Sequence, residues 1–280
     1  MEKPRTSSEK GLLPAESPPA IDEKQIWRDL KEHGFSIVHG FVSERDIGRV
    51  RDFWVNKFSE PDVARGRITW SPYLGQSNHI GFSDDAFQYL FRSCDFFWNE
   101  PFDVLTRQIG LRMNTFRNQL LGKDPQHGTR FSDGRHGVFL TASYYPPQVG
   151  FMDMHRDGVA KQNELVHVLV PLTFRGTEYA EGGMRIIDRA GVERDIEVLV
   201  KPGDAIVYDG SLTHGVGKIM PIPGKNIGRL QISPFPTYFR PIEENPRALN
   251  AIPLATYLFA KAACFKNGIR MQLGLKPSLR

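Results

Sequence analysis

The sequence predicts a mainly β fold with helices, of the α+β class: a double-stranded β-helix, or cupin-like jelly roll, with N-terminal helices packed on one sheet. Three observations predict it. Eight short β-type segments follow one another at 138–145, 150–156, 165–174, 184–188, 195–200, 204–208, 213–219 and 228–235. Glycine- and proline-containing turns separate them, and no long helical period lies between them, which argues against a doubly wound fold. Helical periodicity is confined to the stretch before them and to the C-terminal end.

Residues 1–20 hold four prolines, mixed charge and Ser7-Ser8. Such a segment buries too little apolar surface to offset its ordering entropy, so it reads as a flexible tail. Residues 21–245 form a single domain, with 21–137 as helical support and lid loops and 138–236 as the jelly-roll core. Asp22 caps a short helix with Ile26, Trp27 and Leu30 on one face, ending at Gly34. Phe35 to Val38 reads as a strand. Ser43-Glu44-Arg45-Asp46 resembles a capping box, and Ile47, Val50, Phe53, Trp54 and Phe58 share the apolar face of the helix after it. Residues 66–83 carry Trp70, Tyr73, His79, Ile80 and Phe82 without either period, and are expected to be a long loop of the lid or binding kind. Two helical segments are expected at 84–93 and 101–109. The apolar stretch in 246–280 predicts a C-terminal helix that packs on the domain or at an interface, and a homodimer through it is one expectation.

The chain has 280 residues, 40% of them hydrophobic, enough for one large domain or two small ones. Its 36 Lys and Arg against 32 Asp and Glu leave a net charge of +4. Six basic and no acidic residues lie from Asn245 to Arg280, so the remainder is near neutral and no polyanionic partner is called for. Nucleic acid is therefore not an expected partner. Cys94 and Cys264 are the only cysteines. They offer neither a disulfide framework nor a cysteine metal site, and a reducing cytoplasm is the expected compartment. No apolar run reaches the ~18 residues of a membrane span, and the N-terminus lacks the apolar core of a signal peptide.

The chemistry concentrates in Tyr144 to Ser233. His155-Arg156-Asp157 places a histidine and a carboxylate two apart, on one face of an extended chain. His214 follows Pro202-Gly203-Asp204, the apolar run 205–208 and the turn Asp209-Gly210-Ser211. Two histidines and one carboxylate form the set that holds mononuclear non-haem iron on one face of an octahedron, with three positions open. Arg229 lies on a further β-type segment. The other histidines, His33, His39, His79, His127, His136 and His167, read as surface or core residues, with His79 and His136 the two that could reach a substrate.

His155-x-Asp157, then His214 after 57 residues, then Arg229 after 15 more in Gly-Arg-Leu-Gln-Ile-Ser, resembles the iron(II)/2-oxoglutarate-dependent oxygenases. The phrase from Pro202 to Val216 is similar to their late barrel strands, and Ser143-Tyr144-Tyr145-Pro146-Pro147 to the strand before their metal motif. The small-molecule hydroxylases, phytanoyl-CoA-dioxygenase-like or a related branch, are the nearest pattern. The resemblance covers residues 138–236. It implies Fe(II) held by His155, Asp157 and His214, with 2-oxoglutarate and dioxygen as co-substrates. It also implies a guanidinium at Arg229 for the distal carboxylate of 2-oxoglutarate, which a planar fork suits. Tyr145 and Ser143 would donate to the same co-substrate. Alternation puts them on one face, although the choice between Tyr144 and Tyr145 stays open at this point.

The chain departs from the family in two places. The interval from His214 to Arg229 is longer than the usual ten or so, which makes Lys225 a rival. Gln231 stands where some relatives have serine.

The implied activity is hydroxylation, or a related C–H oxidation, of a small molecule, with a natural product of secondary metabolism as one such substrate, coupled to decarboxylation of 2-oxoglutarate. The presence of Asp157 disfavours halogenation. A metal-dependent cupin enzyme that does not use 2-oxoglutarate, and an oxygenase directed at nucleic acid or protein, are the alternatives. Arg112, Asn114, Arg117, Asn118, Gln119, Arg130 and Arg135 are expected at the pocket mouth.

Overall fold

Side-chain caps start the helices. The carboxylate of Asp22 accepts from Gln25 N ahead of α1 (Glu23–Glu32), the hydroxyl of Ser43 from Asp46 N ahead of α2 (Glu44–Ser59), and the carboxylate of Asp103 from Thr106 N ahead of α3 (Val104–Leu120). In this computed structural model the described residues are 21–60, 78–130, 136–157 and 165–238. The strands are β1 (Phe35–Val38), β2 (His79–Asp84), β3 (Gln88–Phe96), β4 (His136–Tyr145), β5 (Phe151–His155) and β6 (Val166–Pro171). They continue with β7 (Tyr179–Ile187), β8 (Glu193–Asp195), β9 (Ala205–Asp209), β10 (His214–Pro221) and β11 (Arg229–Tyr238).

The strand path runs β1-β9-β6-β11-β4-β3 and then β5-β10-β7-β8, with β2 paired to β3. Among the described residues these strands all pair antiparallel, as a jelly roll requires. β3 is the seam: Phe91 and Arg92 pair with Tyr144 and Ser143 of β4, while Gln88 pairs with Met152 of β5. It thereby joins the two walls of the barrel along one side.

Alternation divides the larger wall into two faces. Leu140, Ala142, Val168, Val170, Leu230 and Ile232 pack outward against α2 and α3, in one core with Val50, Trp54 and Met113. Trp54 is fully buried and donates its indole N–H to Thr106 Oγ1 at 3.1 Å. Truncating such a side chain costs about 3–5 kcal/mol. The opposite face, with Thr141, Ser143, Tyr145, Gln231 and Ser233, looks into the barrel.

The eight β-type segments expected after residue 137 correspond to β4–β11, with 195–200 resolving into the end of β8 and a 3-10 turn at Ile196–Val198. Three expectations need correction. The segment 84–93, expected helical, is mostly β3, because Phe87, Tyr89, Leu90 and Phe91 pack well on a pleated surface and β3 gains partners on both edges. The expected loop 66–83 contains β2 from His79 on, and its earlier part to residue 77 lies outside the described residues. The helix expected at 101–109 runs on to Leu120, so Arg112, Asn114, Arg117, Asn118 and Gln119 belong to α3 and not to the pocket mouth.

Those polar residues serve the packing. Arg117 is fully buried and donates Nε–H to Val166 O at 2.6 Å, and the side-chain amides of Asn114 and Asn118 both donate to His127 O. Arg112 donates to Phe41 O and lies over the Phe41 ring. The expected tail 1–20, the C-terminal helix and Arg135 lie outside the described residues. Among the described residues no helix is long and apolar enough to cross a membrane.

Candidate metal centre and its pocket

β5 ends at His155 and β10 begins at His214, and these two residues are paired in register. Asp157 lies two residues beyond His155, where its backbone N–H donates to Gly210 O at 2.9 Å in the turn before His214. One strand end, one strand start and one turn thus bring the three residues together. Each offers a ligand atom within 4.8 Å of the others. Asp157 Oδ1 is 3.6 Å from His155 Nε2, and Oδ2 is 3.7 Å from His214 Nε2.

The imidazole tautomers follow from their other contacts. Nδ1 of His155 lies 2.8 Å from Asp153 O, and Nδ1 of His214 lies 2.9 Å from Leu212 O. A carbonyl oxygen can only accept, so each Nδ1 carries a proton, and the tautomer with that proton alone turns a bare Nε2 lone pair toward Asp157. This is the orientation that a metal-binding histidine takes. Burial pushes the His214 pKa down to about 4 against the pull of the Asp157 carboxylate, so its ring is neutral at pH 7. Burial alone would raise Asp157, but the imidazoles of His155, His167 and His214 gathered around it hold its carboxyl well below the usual range. Three acceptors therefore face one another inside a fold, an arrangement that repels itself and that a cation offsets. The donor set suits a divalent ion of the imidazole-and-carboxylate class, iron included.

From these residues a cavity of about 240 Å³ runs between the two walls. Phe87 stands at its mouth, 38% exposed and edge-on to the His155 ring at 5.1 Å. Leu169, Met184 and Val216 give it apolar sides. On the larger wall Arg92, Ser143 and Gln231 form one cross-strand row, and Arg92 Nε donates to Ser143 Oγ at 3.1 Å.

The next row down pairs Tyr145 with Arg229. Tyr145 lines the cavity and is buried, whereas Tyr144 turns to the helices and stacks on Phe58, its hydroxyl accepting from Gly228 N. Arg229 is completely buried in the floor and is not itself a lining residue. Its Nε donates to Glu197 Oε1 at 2.7 Å and its Nη1 to the Gln231 side chain. Its Nη2 is buried and has no hydrogen-bond partner among the described residues. Glu197 also accepts from Tyr179 OH at 2.6 Å and Met184 N at 2.7 Å. Burial would raise Glu197, but Arg229 and these donors bring it below its ordinary value. Gly183 makes room for this carboxylate: a Cβ there would lie 2.2 Å from Glu197 Cγ, and its φ of +110° suits glycine.

Structure and sequence meet unevenly here. His155, Asp157, His214, Ser143 and Tyr145 all face one cavity, while Arg229 stands just beneath it behind an internal carboxylate. Lys225, the rival cation, donates to Thr177 O on the surface and is not in the cavity. His79 does not line the cavity either, and the side chain of His136 lies outside the described residues. His167, Arg92 and Glu197 were not singled out from the sequence. Only His167 left a signal there: it interrupts a Val-x-Val-Leu-Val run at an inward position of β6.

Neither a protein-family profile nor a curated protein sequence matches the chain. Solved structures do match. A prolyl-4-hydroxylase from Pseudomonas putida shares 17% identity at a TM-score of 0.51, covering 78% of this chain and all of that one. AviO1 from Streptomyces viridochromogenes Tue57 shares 14% at 0.50, covering 77% and 95%. SnoN, a non-haem α-ketoglutarate-dependent epimerase from nogalamycin biosynthesis, shares 11% at 0.50, covering 78% and 85%. At these identities the likeness is one of fold, and it identifies the architecture as the jelly roll of such enzymes.

Proposed function

We propose that this chain is a non-haem Fe(II)/2-oxoglutarate-dependent oxygenase that oxidises a C–H bond of a small molecule, with hydroxylation as the outcome. The observation that carries the reading is the convergence of His155 Nε2, His214 Nε2 and the Asp157 carboxylate within 4.8 Å. Both Nδ1 atoms are tied to carbonyls and the three residues line the cavity between the two walls. The fold shared with the P. putida prolyl-4-hydroxylase and SnoN supports it.

His155, Asp157 and His214 would hold the iron, which when bound supplies the oxidative chemistry that consumes 2-oxoglutarate and dioxygen. Arg229 offers its Nη2 N–H groups to the distal carboxylate of the co-substrate, a charge-assisted contact in a buried floor. Tyr145 and Ser143 face the same end, and Arg92 orients the Ser143 hydroxyl. Leu169, Met184 and Val216 keep water from the reacting carbon. Phe87 borders the way in, and the size of the cavity favours a small molecule over a polymer segment.

One observation favours a second reading, a metal-dependent cupin enzyme that does not use 2-oxoglutarate. Glu197 already balances the charge of Arg229, and Gln231 lies between that guanidinium and the cavity. An anaerobic titration of the Fe(II)-loaded protein with 2-oxoglutarate, following the visible charge-transfer band of a chelated keto acid, separates the two. The band is expected in the wild type and absent in His214→Ala. In Arg229→Lys, which keeps a cation for Glu197, it should need about tenfold or more co-substrate, the worth of one charge-assisted hydrogen bond. Iron binding without a band would overturn the 2-oxoglutarate assignment in favour of the cupin reading.

A further inference from the structure

All six residues of β6 are buried. Val166, Val168 and Val170 face the helices, so His167 and Leu169 face the barrel. His167 is 3% exposed, and an imidazole buried that far costs stability unless its polar atoms are used. Its ring is fixed by packing: it stacks on Phe235 at 5.6 Å with a 16° tilt and leans on Tyr208 at 5.2 Å. Held so, it brings Nε2 to 2.9 Å from Asp157 Oδ2, a close polar approach outside hydrogen-bond geometry, and Nε2 has no hydrogen-bond partner among the described residues.

Gly210 shows that the local fold keeps this approach open. A Cβ at that position would lie 2.5 Å from Asp157 Oδ2 and 2.6 Å from His167 Nε2, so any side chain would wedge the pair apart. The same glycine accepts from Asp157 N and donates to Leu165 O, which ties the Asp157 backbone to the start of β6. His167 does not belong to the group of ligand atoms that lie within 4.8 Å of one another.

We propose that His167 is a positioning residue for the metal centre: its Nε2–H holds Asp157 Oδ2, turning the carboxylate so that Oδ1 alone is presented to the ion. This rests on reading His155, Asp157 and His214 as metal ligands. A carboxylate has two oxygens, and a donor on one of them makes the group monodentate and fixes its plane. One side of the ion is then kept clear for the molecules that must bind there.

Two substitutions separate donation from packing. His167→Phe keeps a ring to stack on Phe235 and removes the donor; His167→Gln removes the ring and returns an N–H donor. The readouts are Mn(II) affinity by competition with a chelator, the visible spectrum of the Co(II)-loaded protein, and the melting temperature of the metal-free protein. Expected are a loss of about 10–100-fold in Mn(II) affinity and an altered Co(II) spectrum for His167→Phe, with His167→Gln within a few-fold of wild type and spectrally alike. A wild-type-like His167→Phe, or equal losses in both variants, would overturn the proposal and leave His167 a packing residue. Wild-type protein that holds neither ion would overturn the metal reading itself, and this inference with it. Wild type that binds both ions, with His167→Phe binding them as tightly and with the same Co(II) spectrum, overturns the inference alone.

Discussion

The floor of the cavity and its metal end are both buried clusters of charged and polar groups, yet their hydrogen-bond accounts differ. At the floor, Glu197 receives N–H or O–H donors from Arg229, Tyr179 and Met184, all from its own chain. At the metal end, the two histidines spend their Nδ1–H groups on backbone carbonyls and turn Nε2 toward a carboxylate, with no donor of the chain between them. The first cluster balances the Glu197 carboxylate within the chain and leaves over only Arg229 Nη2, which has no partner among the described residues. The second is held together by its surroundings, by strand pairing of His155 with His214 and by the Gly210 turn, and its own electrostatics oppose it. Structural and functional polar clusters can thus be told apart by asking whether donors and acceptors match within the chain.

Breaking the floor should have the largest effect on stability. Glu197→Gln removes the counter-charge from a fully buried Arg229, and loss of one partner of a buried pair costs about 3–5 kcal/mol. Urea unfolding of the metal-free protein measures it. Replacing both partners, Glu197→Gln with Arg229→Met, should recover a large part of that loss, since no charge is then left unpaired. A double variant no more stable than Glu197→Gln alone would mean that the pair is not the closed unit described here.

The metal end should reveal itself through pH. His214 is held at about 4 in the fold against 6.5 for an ordinary histidine, so between those values the unfolded chain binds more protons than the folded one. Its contribution to stability is full above about pH 6.5 and is lost as pH falls toward 4, by at most about 3 kcal/mol at 1.36 kcal/mol per unit. Asp157, whose pKa is lowered, acts in the same direction, but its loss comes below the ordinary carboxylate range. Metal-free His214→Ala should therefore show a flatter stability profile between pH 6.5 and 4 than wild type, as read by denaturant midpoints across that range. An unchanged slope would place the titration elsewhere.

The sequence made one of these regions legible and hid the other. Short β-type segments between glycine and proline turns announced β4–β11, and the ligand spacing announced the metal end, because i and i+2 on extended chain share a face whatever the rest of the fold does. Glu197 could not be read as the partner of Arg229, since the two meet only through the 3-10 turn that follows β8 and the room left by Gly183. β3 was read as helix for a related reason: its apolar run fits either period, and what decides is pairing with β2 and β4. The polar residues of α3 looked like a pocket mouth because sequence shows polarity, whereas loop carbonyls at Pro125 and His127 that accept from the Asn114 and Asn118 amide N–H groups become visible only in three dimensions.

The smallest expected effect refines the floor. Tyr179→Phe removes one hydroxyl, fully buried and 2.6 Å from Glu197 Oε2, and leaves the ring packed against Leu90, Tyr145 and Val216. Burial is the first cause raising the Tyr179 phenol, with the nearby Glu197 charge adding to it, so the group is a neutral donor at any working pH. Glu197 keeps Arg229 and Met184 N as donors, and its charge stays balanced. The loss should therefore be about 1–1.5 kcal/mol, the net worth of a hydrogen bond to a charged group at the low end, against the several expected for Glu197→Gln. Divalent metal affinity should not change, because the hydroxyl acts at the opposite end of the cavity from His155 and His214. A Tyr179→Phe variant that loses metal as well as stability would show the two ends to be coupled, and the separation between a closed floor and a metal end held by its surroundings would have to be given up.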